Sequence, residues 1–195
     1  MMSAESIHAS TVAELEAWQA PDATAEALRH TVLAFLAAAP RGVLREYAPG
    51  HVTASAIVVD ASMRNVLLTL HPKVGRWIQL GGHCEETDLT VRGAALREAR
   101  EESGIEGLSI SPGVLSLDTH PITCSLGLPT RHLDLQFLVT APDGAAPVRS
   151  HESVDLRWWP VDALPDDAEH ETIERLLALA AQRVSRRVRG PAASR

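Results

Sequence analysis

A chain of 195 residues, 45% apolar and 22% charged, suits one ordinary domain with a real core and a polar surface. Its formal net charge of −7 argues against a nucleic-acid polymer as the main partner, since such proteins carry a basic face. Anionic metabolites stay open, because gathered carboxylates can hold divalent cations that in turn hold phosphate. No run approaches the roughly 18–20 apolar residues that span a bilayer. The opening Met1-Met2-Ser3-Ala4-Glu5 lacks the basic and apolar stretches of a secretory signal. A cytoplasmic protein with no membrane partner is expected, with Cys84 and Cys124 as free thiols.

The first 50 residues read as a helical extension packed on the same domain, ahead of a core over residues 51–165. Thr11 followed by Glu14 fits a capping box that opens a short helix through Trp18. A second helix carries Leu28, Val32, Phe35, Leu36 and Ala39 at helical spacing and stops at Pro40-Arg41-Gly42. From His51 the period changes. Residues 52–60 and 65–70 form a strand pair across a polar turn, and residues 77–80 form a short strand ending in Gly81-Gly82. A helix follows over residues 90–103, closed by Gly104 as a left-handed cap.

Further strands are predicted at residues 108–117, 133–140 and 154–159. Residues 166–195 supply a last helix, over 169–188, and a short basic tail. Ile173, Leu176, Leu177, Ala180 and Val184 share one side of that helix, and its arginines suit the negative end of the helix dipole.

Between Gly81 and Ile105 lies the segment that carries chemistry. Glu98, Glu101 and Glu102 stand at i, i+3 and i+4, which stacks three carboxylates on one helix face. Like charges so placed weaken a helix by a few tenths of a kcal/mol per pair. The arrangement is either a solvated face or a seat for a hard divalent cation, which prefers oxygen ligands.

The wider pattern resembles the Nudix box: Gly, five residues, Glu, seven residues, Arg-Glu, aliphatic, any, Glu-Glu, any, Gly, aliphatic. Gly82, Arg97-Glu98, Glu101-Glu102 and Gly104-Ile105 match it. Asp88 replaces the first glutamate, one extra residue precedes Arg97, and Ala99 holds an aliphatic position. The extra residue lies in a loop that can absorb it without rotating the glutamate face.

The resemblance implies an α/β fold, an α/β/α sandwich around a mixed sheet, with added N-terminal helices. It implies hydrolysis of a diphosphate linkage in a small metabolite of nucleoside-diphosphate-X type, with Mg2+ or Mn2+ as cofactor. Carried over by position, Glu98, Glu101 and Glu102 become metal ligands with the Gly82 carbonyl as helper. Arg97 orients a carboxylate by a bidentate ion pair. Glu101 and Glu152 are the candidate catalytic carboxylates, Glu152 standing before a strand that ends Arg157-Trp158-Trp159-Pro160. In some such enzymes acting on ADP-ribose a proline follows the box by about sixteen residues, and Pro121 stands sixteen after Ile105.

His83, His120, His132 and Asp134 are candidate substrate contacts, with solvent-facing strand positions as the alternative. His83, Cys84, His120 and Cys124 do not read as a zinc site, since they lack a paired Cys-x-x-Cys knuckle. Gly81-Gly82 is no P-loop, because no Lys-Ser/Thr follows. Two rival functions stay open: an isomerase on an allylic diphosphate, which needs an active-site cysteine, and a ligand-sensing domain on the same fold. The N-terminal helices either cover the pocket, mediate homodimerisation or extend the core.

Overall fold

The computed structural model describes residues 2–123, 127, 129–151 and 153–189, with side chains between residues 4 and 186. Two helices lead, α1 (Met2–Ala17) and α2 (Ala23–Ala38). Then come β1 (His51–Val59), β2 (Asn65–Leu70), β3 (Trp77–Ile78), β4 (Leu80–His83) and α3 (Val91–Ser103). The chain continues through β5 (Ser109–Ile110), β6 (Ser116–Thr123), β7 (Pro129–Thr140), β8 (Asp155–Pro160) and α4 (His170–Arg189).

The sheet is mixed, and its centre is the parallel pair β1–β7. Each of these strands has its outer edge divided between two partners. β4 pairs β1 at residues 53–56 and β2 pairs it at 58–59. Likewise β6 takes β7 from 129 to 136 and β5 takes it at 139–140. Every residue of β1 is buried, so it reads as a near-continuous run of small and β-branched side chains rather than an alternation.

The two faces of β1 meet different layers. Val52, Ala54, Ala56 and Val58 face α3, whose Ala94, Ala95 and Ala99 are small enough for close approach. The same side receives Ile7 and Leu15 of α1 and Val32 and Leu36 of α2. Ile57 and Val59 face the other way, onto Ile173, Leu176 and Ala180 of α4. Helices on both faces of a mixed sheet make the expected α/β sandwich. Trp159 stacks edge-on against Trp77, and the Trp158 indole donates to the Ala145 carbonyl, so both tryptophans are structural anchors.

Two expectations need correction. The first helix begins at Met2, and Thr11 lies buried inside it, donating its hydroxyl to the Ile7 carbonyl at 2.7 Å. The Thr–Glu spacing was that of a capping box, but a threonine hydroxyl can equally bond the carbonyl four residues back. The strand expected over residues 108–117 is divided into β5 and β6, because Ser111-Pro112-Gly113 turns between them with Gly113 at φ +79°.

Candidate active site

The glycine pair at the end of β4 sits against two different neighbours. Gly81 adopts φ +151°, and a Cβ there would lie 2.4 Å from the Cβ of Ser55 on β1. Only glycine allows that strand approach. At Gly82 the added carbon would stand 2.7 Å from the Glu98 carboxylate. The absent side chain therefore leaves the cradle in which a carboxylate from α3 rests.

Helix α3 is held at both ends. Thr90 caps it by accepting from Gly93 N at 2.9 Å, and Gly104 closes it at φ +62° with its N–H on the Arg100 carbonyl. From α1, the Ser10 hydroxyl accepts from Val91 N at 2.9 Å, satisfying one of the amides that a helix start leaves unpaired.

Arg97 organises the acidic cluster. Its Nε and Nη2 donate to the two Asp88 oxygens at 3.0 and 2.9 Å, a bidentate pair. Nη1 donates to Glu98 at 3.1 Å and to Glu101 at 2.9 Å, and Nη2 also reaches the His83 carbonyl at 3.0 Å. The Asp88 hydrogen bonds are the largest cause of the raised Arg97 pKa. Asp88 is 7% exposed and also accepts from Glu85 N at 2.8 Å, folding the box loop back on itself. A shorter acid thus reaches the arginine despite the extra residue.

The three helix carboxylates differ in exposure. Glu102 is buried and the Glu98 side chain nearly so, whereas that of Glu101 is 59% exposed. Glu85, Asp88, Glu98 and Glu101 each lie within 4.0 Å of Arg97, which leaves excess negative charge on hard oxygen atoms, the donor type that hard divalent cations prefer.

Opposite α3 the sheet carries a polar patch, assembled by register. His51 pairs with His132, and Thr53 with Asp134, across β1–β7. His120 and Asp118 of β6 lie beside those same β7 residues, while His83 of β4 pairs with Thr53. Asp134 is 4% exposed and accepts from the Thr53 hydroxyl at 2.9 Å and the Ser55 hydroxyl at 2.7 Å. Burial raises its pKa. His120 bonds Asp118 at 2.9 Å, which raises the imidazole and lowers the carboxyl. Burial pushes His83 down to about 4 and His132 down to about 3, and it lowers His51 as well. From α4, Arg175 donates to Ser116 and Gln136 at the far end of the patch.

His83, His120, His132 and Asp134 therefore share one face, apart from Glu98, Glu101 and Arg97. Glu152 and Cys124 lie outside the described residues. Sequence reading missed His51, Thr53, Ser55 and Asp118. Their signal is a polar residue at every second position of otherwise apolar strands, as in His51-x-Thr53-x-Ser55 and His132-x-Asp134-x-Gln136.

Comparison with known proteins returns the NUDIX domain, whose family model matches residues 49–179, about two thirds of the chain. Among solved structures, a NUDIX-family hydrolase from Clostridium perfringens is 23% identical with a TM-score of 0.52, covering 68% of this chain and 97% of its own. An Ap4A hydrolase from C. elegans is 20% identical at TM-score 0.52, covering 69% and 97%. The E. coli dihydroneopterin triphosphate pyrophosphohydrolase is 19% identical at 0.51, covering 65% and 91%. At these identities the likeness is one of fold. No curated protein matches the sequence.

Proposed function

The chain belongs to the Nudix family as a pyrophosphohydrolase, and on that premise we propose that it cleaves a nucleoside-diphosphate-X metabolite with Mg2+ or Mn2+ bound. The observation that carries this reading is the Glu98 carboxylate in the Gly82 cradle, on the helix face it shares with Glu101 and Glu102. Those three carboxylates, with the Gly82 carbonyl, would hold the ion. When bound, it neutralises charge on the diphosphate and lowers the cost of deprotonating water.

The chain's own groups have distinct tasks. Arg97 is a positioning residue: it ties Glu98 and Glu101 on the helix to Asp88 in the loop, and so sets where the carboxylates point. Glu101, the most exposed of the three, takes the proton of the attacking water, with Glu152 as the second candidate for that step. His83, His120, His132 and Asp134 lie on the other face of the sheet from these carboxylates, so no contact with the metal-held diphosphate is assigned to them. An ADP-ribose-like compound is favoured by Pro121, which follows His120 on β6.

The isomerase alternative has no support from Cys84, which is 2% exposed, belongs to the core cluster under α1 and α2, and has its thiol pushed up to about 12 by burial. A metabolite panel, incubated with Mg2+ or Mn2+ and read by mass spectrometry, should yield two phosphorylated products from one diphosphate class. Glu102→Gln should lower kcat by at least about a hundredfold. Unchanged turnover in that variant would remove the ligand assignment, and tight binding without turnover across metals would favour a sensor.

A further inference from the structure

We propose that His51, His83 and His132 form a second cation site, built for a borderline transition ion of the Zn2+ class and separate from the carboxylates of α3. One ligand atom from each of the three lies within 4.8 Å of the others. The ring centroids form a near-equilateral triangle, at 5.1, 5.0 and 5.2 Å. In all three rings Nε2 is buried and has no hydrogen-bond partner among the described residues. A buried imidazole nitrogen without a partner is destabilising, and three such rings in one cluster call for a common occupant.

His51 shows which lone pair is on offer. Its Nδ1 lies 3.3 Å from the Tyr47 carbonyl, which can only accept, so Nδ1 carries the proton and Nε2 is left as a donor of electrons. A backbone carbonyl on the far nitrogen is the usual support of a metal-bound histidine.

Tetrahedral coordination at about 2.0–2.1 Å sets ligand nitrogens roughly 3.3 Å apart, so small ring rotations close the triangle. Imidazole nitrogens select Zn2+, Ni2+ or Cu2+ over Mg2+, which prefers oxygen. Three protein ligands leave a fourth position for water or an anionic oxygen.

The site is distinct from the acidic cluster because strand alternation separates them. Gly82, against Ala54, faces α3, whereas the next residue, His83, against Thr53, faces the opposite side. The proposal does not rest on the hydrolase reading.

The test is calorimetric titration of the metal-stripped full chain with Zn2+ in excess Mg2+. One Zn2+ per chain is expected, with affinity falling more than about tenfold in His51→Gln and His132→Ala. Glu101→Gln should bind Zn2+ as the wild type does. Co2+ in the wild type should give the visible absorption of a four-coordinate ion, and this readout needs no variant to fold. Absent Zn2+ uptake, uptake indifferent to both histidine variants, or uptake lost in Glu101→Gln would each overturn the site. Anomalous scattering from a Zn2+-soaked wild-type crystal should peak between the three rings, and a peak elsewhere overturns it too.

Discussion

At the scale of single residues, the pair His120–Asp118 makes a pH-dependent prediction. The hydrogen bond that His120 Nδ1 donates to Asp118 raises the imidazole above its ordinary 6.5, and the same bond lowers the carboxyl below 3.8. A base raised in the folded state contributes stability that is complete below its unfolded value and is lost as pH rises through the folded one. An acid lowered in the folded state contributes above its unfolded value and loses that contribution as pH falls. The pair is therefore worth most between about pH 4 and about pH 6.5, and its contribution declines from there as pH rises through the folded His120 value. Asp134 adds to the rise of His120, and Arg131 opposes it. In a proton NMR titration the His120 ring should titrate above 6.5, and Asp118→Asn should bring it down. An unmoved titration would remove the pair. Asp118 was missed because the expected strand stopped at residue 117; with β6 running on to Thr123, Asp118 and His120 stand two apart and share a face. Asp134 was visible as a polar residue in an apolar strand. That its oxygens are held by Thr53 and Ser55, some 80 positions earlier, follows from the β1–β7 pairing, which local periodicity does not contain.

At the scale of elements, the helix that carries the glutamates is fastened at its start by two independent groups. Thr90 caps it from within the loop, and Ser10 caps it from α1. Replacing an N-cap threonine by alanine costs about 0.5–2 kcal/mol, and loss of a neutral tertiary hydrogen bond about 1 kcal/mol. Thr90→Ala and Ser10→Ala should each lower the urea midpoint without changing its slope, Thr90→Ala by the larger amount. The double variant should lose more than the sum, because Val91 N and Gly93 N belong to the same helix turn. Strict additivity would show that α1 packs on α3 without steadying its first turn. The Gly104 cap was legible, because short-range chemistry determines it, while Thr90, read as the first helical residue, is the N-cap of a helix that starts at Val91. The contribution of Ser10 was not legible, since it comes from 81 residues away. Similar limits explain the divided strand near Pro112-Gly113: apolar composition ran on, while the turn residues broke the ladder.

At the scale of the whole molecule, the sheet divides two chemistries. One face meets the carboxylates of α3, the other carries the imidazoles and the buried Asp134 carboxylate. The box pattern made the first face legible, because many positions within two dozen residues had to agree. The second required the tertiary arrangement of β1, β4, β6 and β7. In a chain of net charge −7, the acid cluster around Arg97 should couple global stability to divalent ions. A ligand that binds only the folded state at a hundred times its Kd adds about 2.7 kcal/mol. For a chain of this size 1 kcal/mol moves Tm by roughly 2–4 °C. Titrating Mn2+ to saturation into chelator-treated protein should therefore raise Tm by roughly 5–10 °C. Each variant is compared with itself in chelator, so any intrinsic change in stability cancels. Glu102→Gln should lose most of the rise, because one hard ligand of the set becomes neutral, while His132→Ala should keep it, because that ring lies on the other face. An equal rise in Glu102→Gln would place the stabilising Mn2+ elsewhere. Loss of the rise in His132→Ala alone would mean that the imidazole face, rather than the glutamate face, takes the manganese.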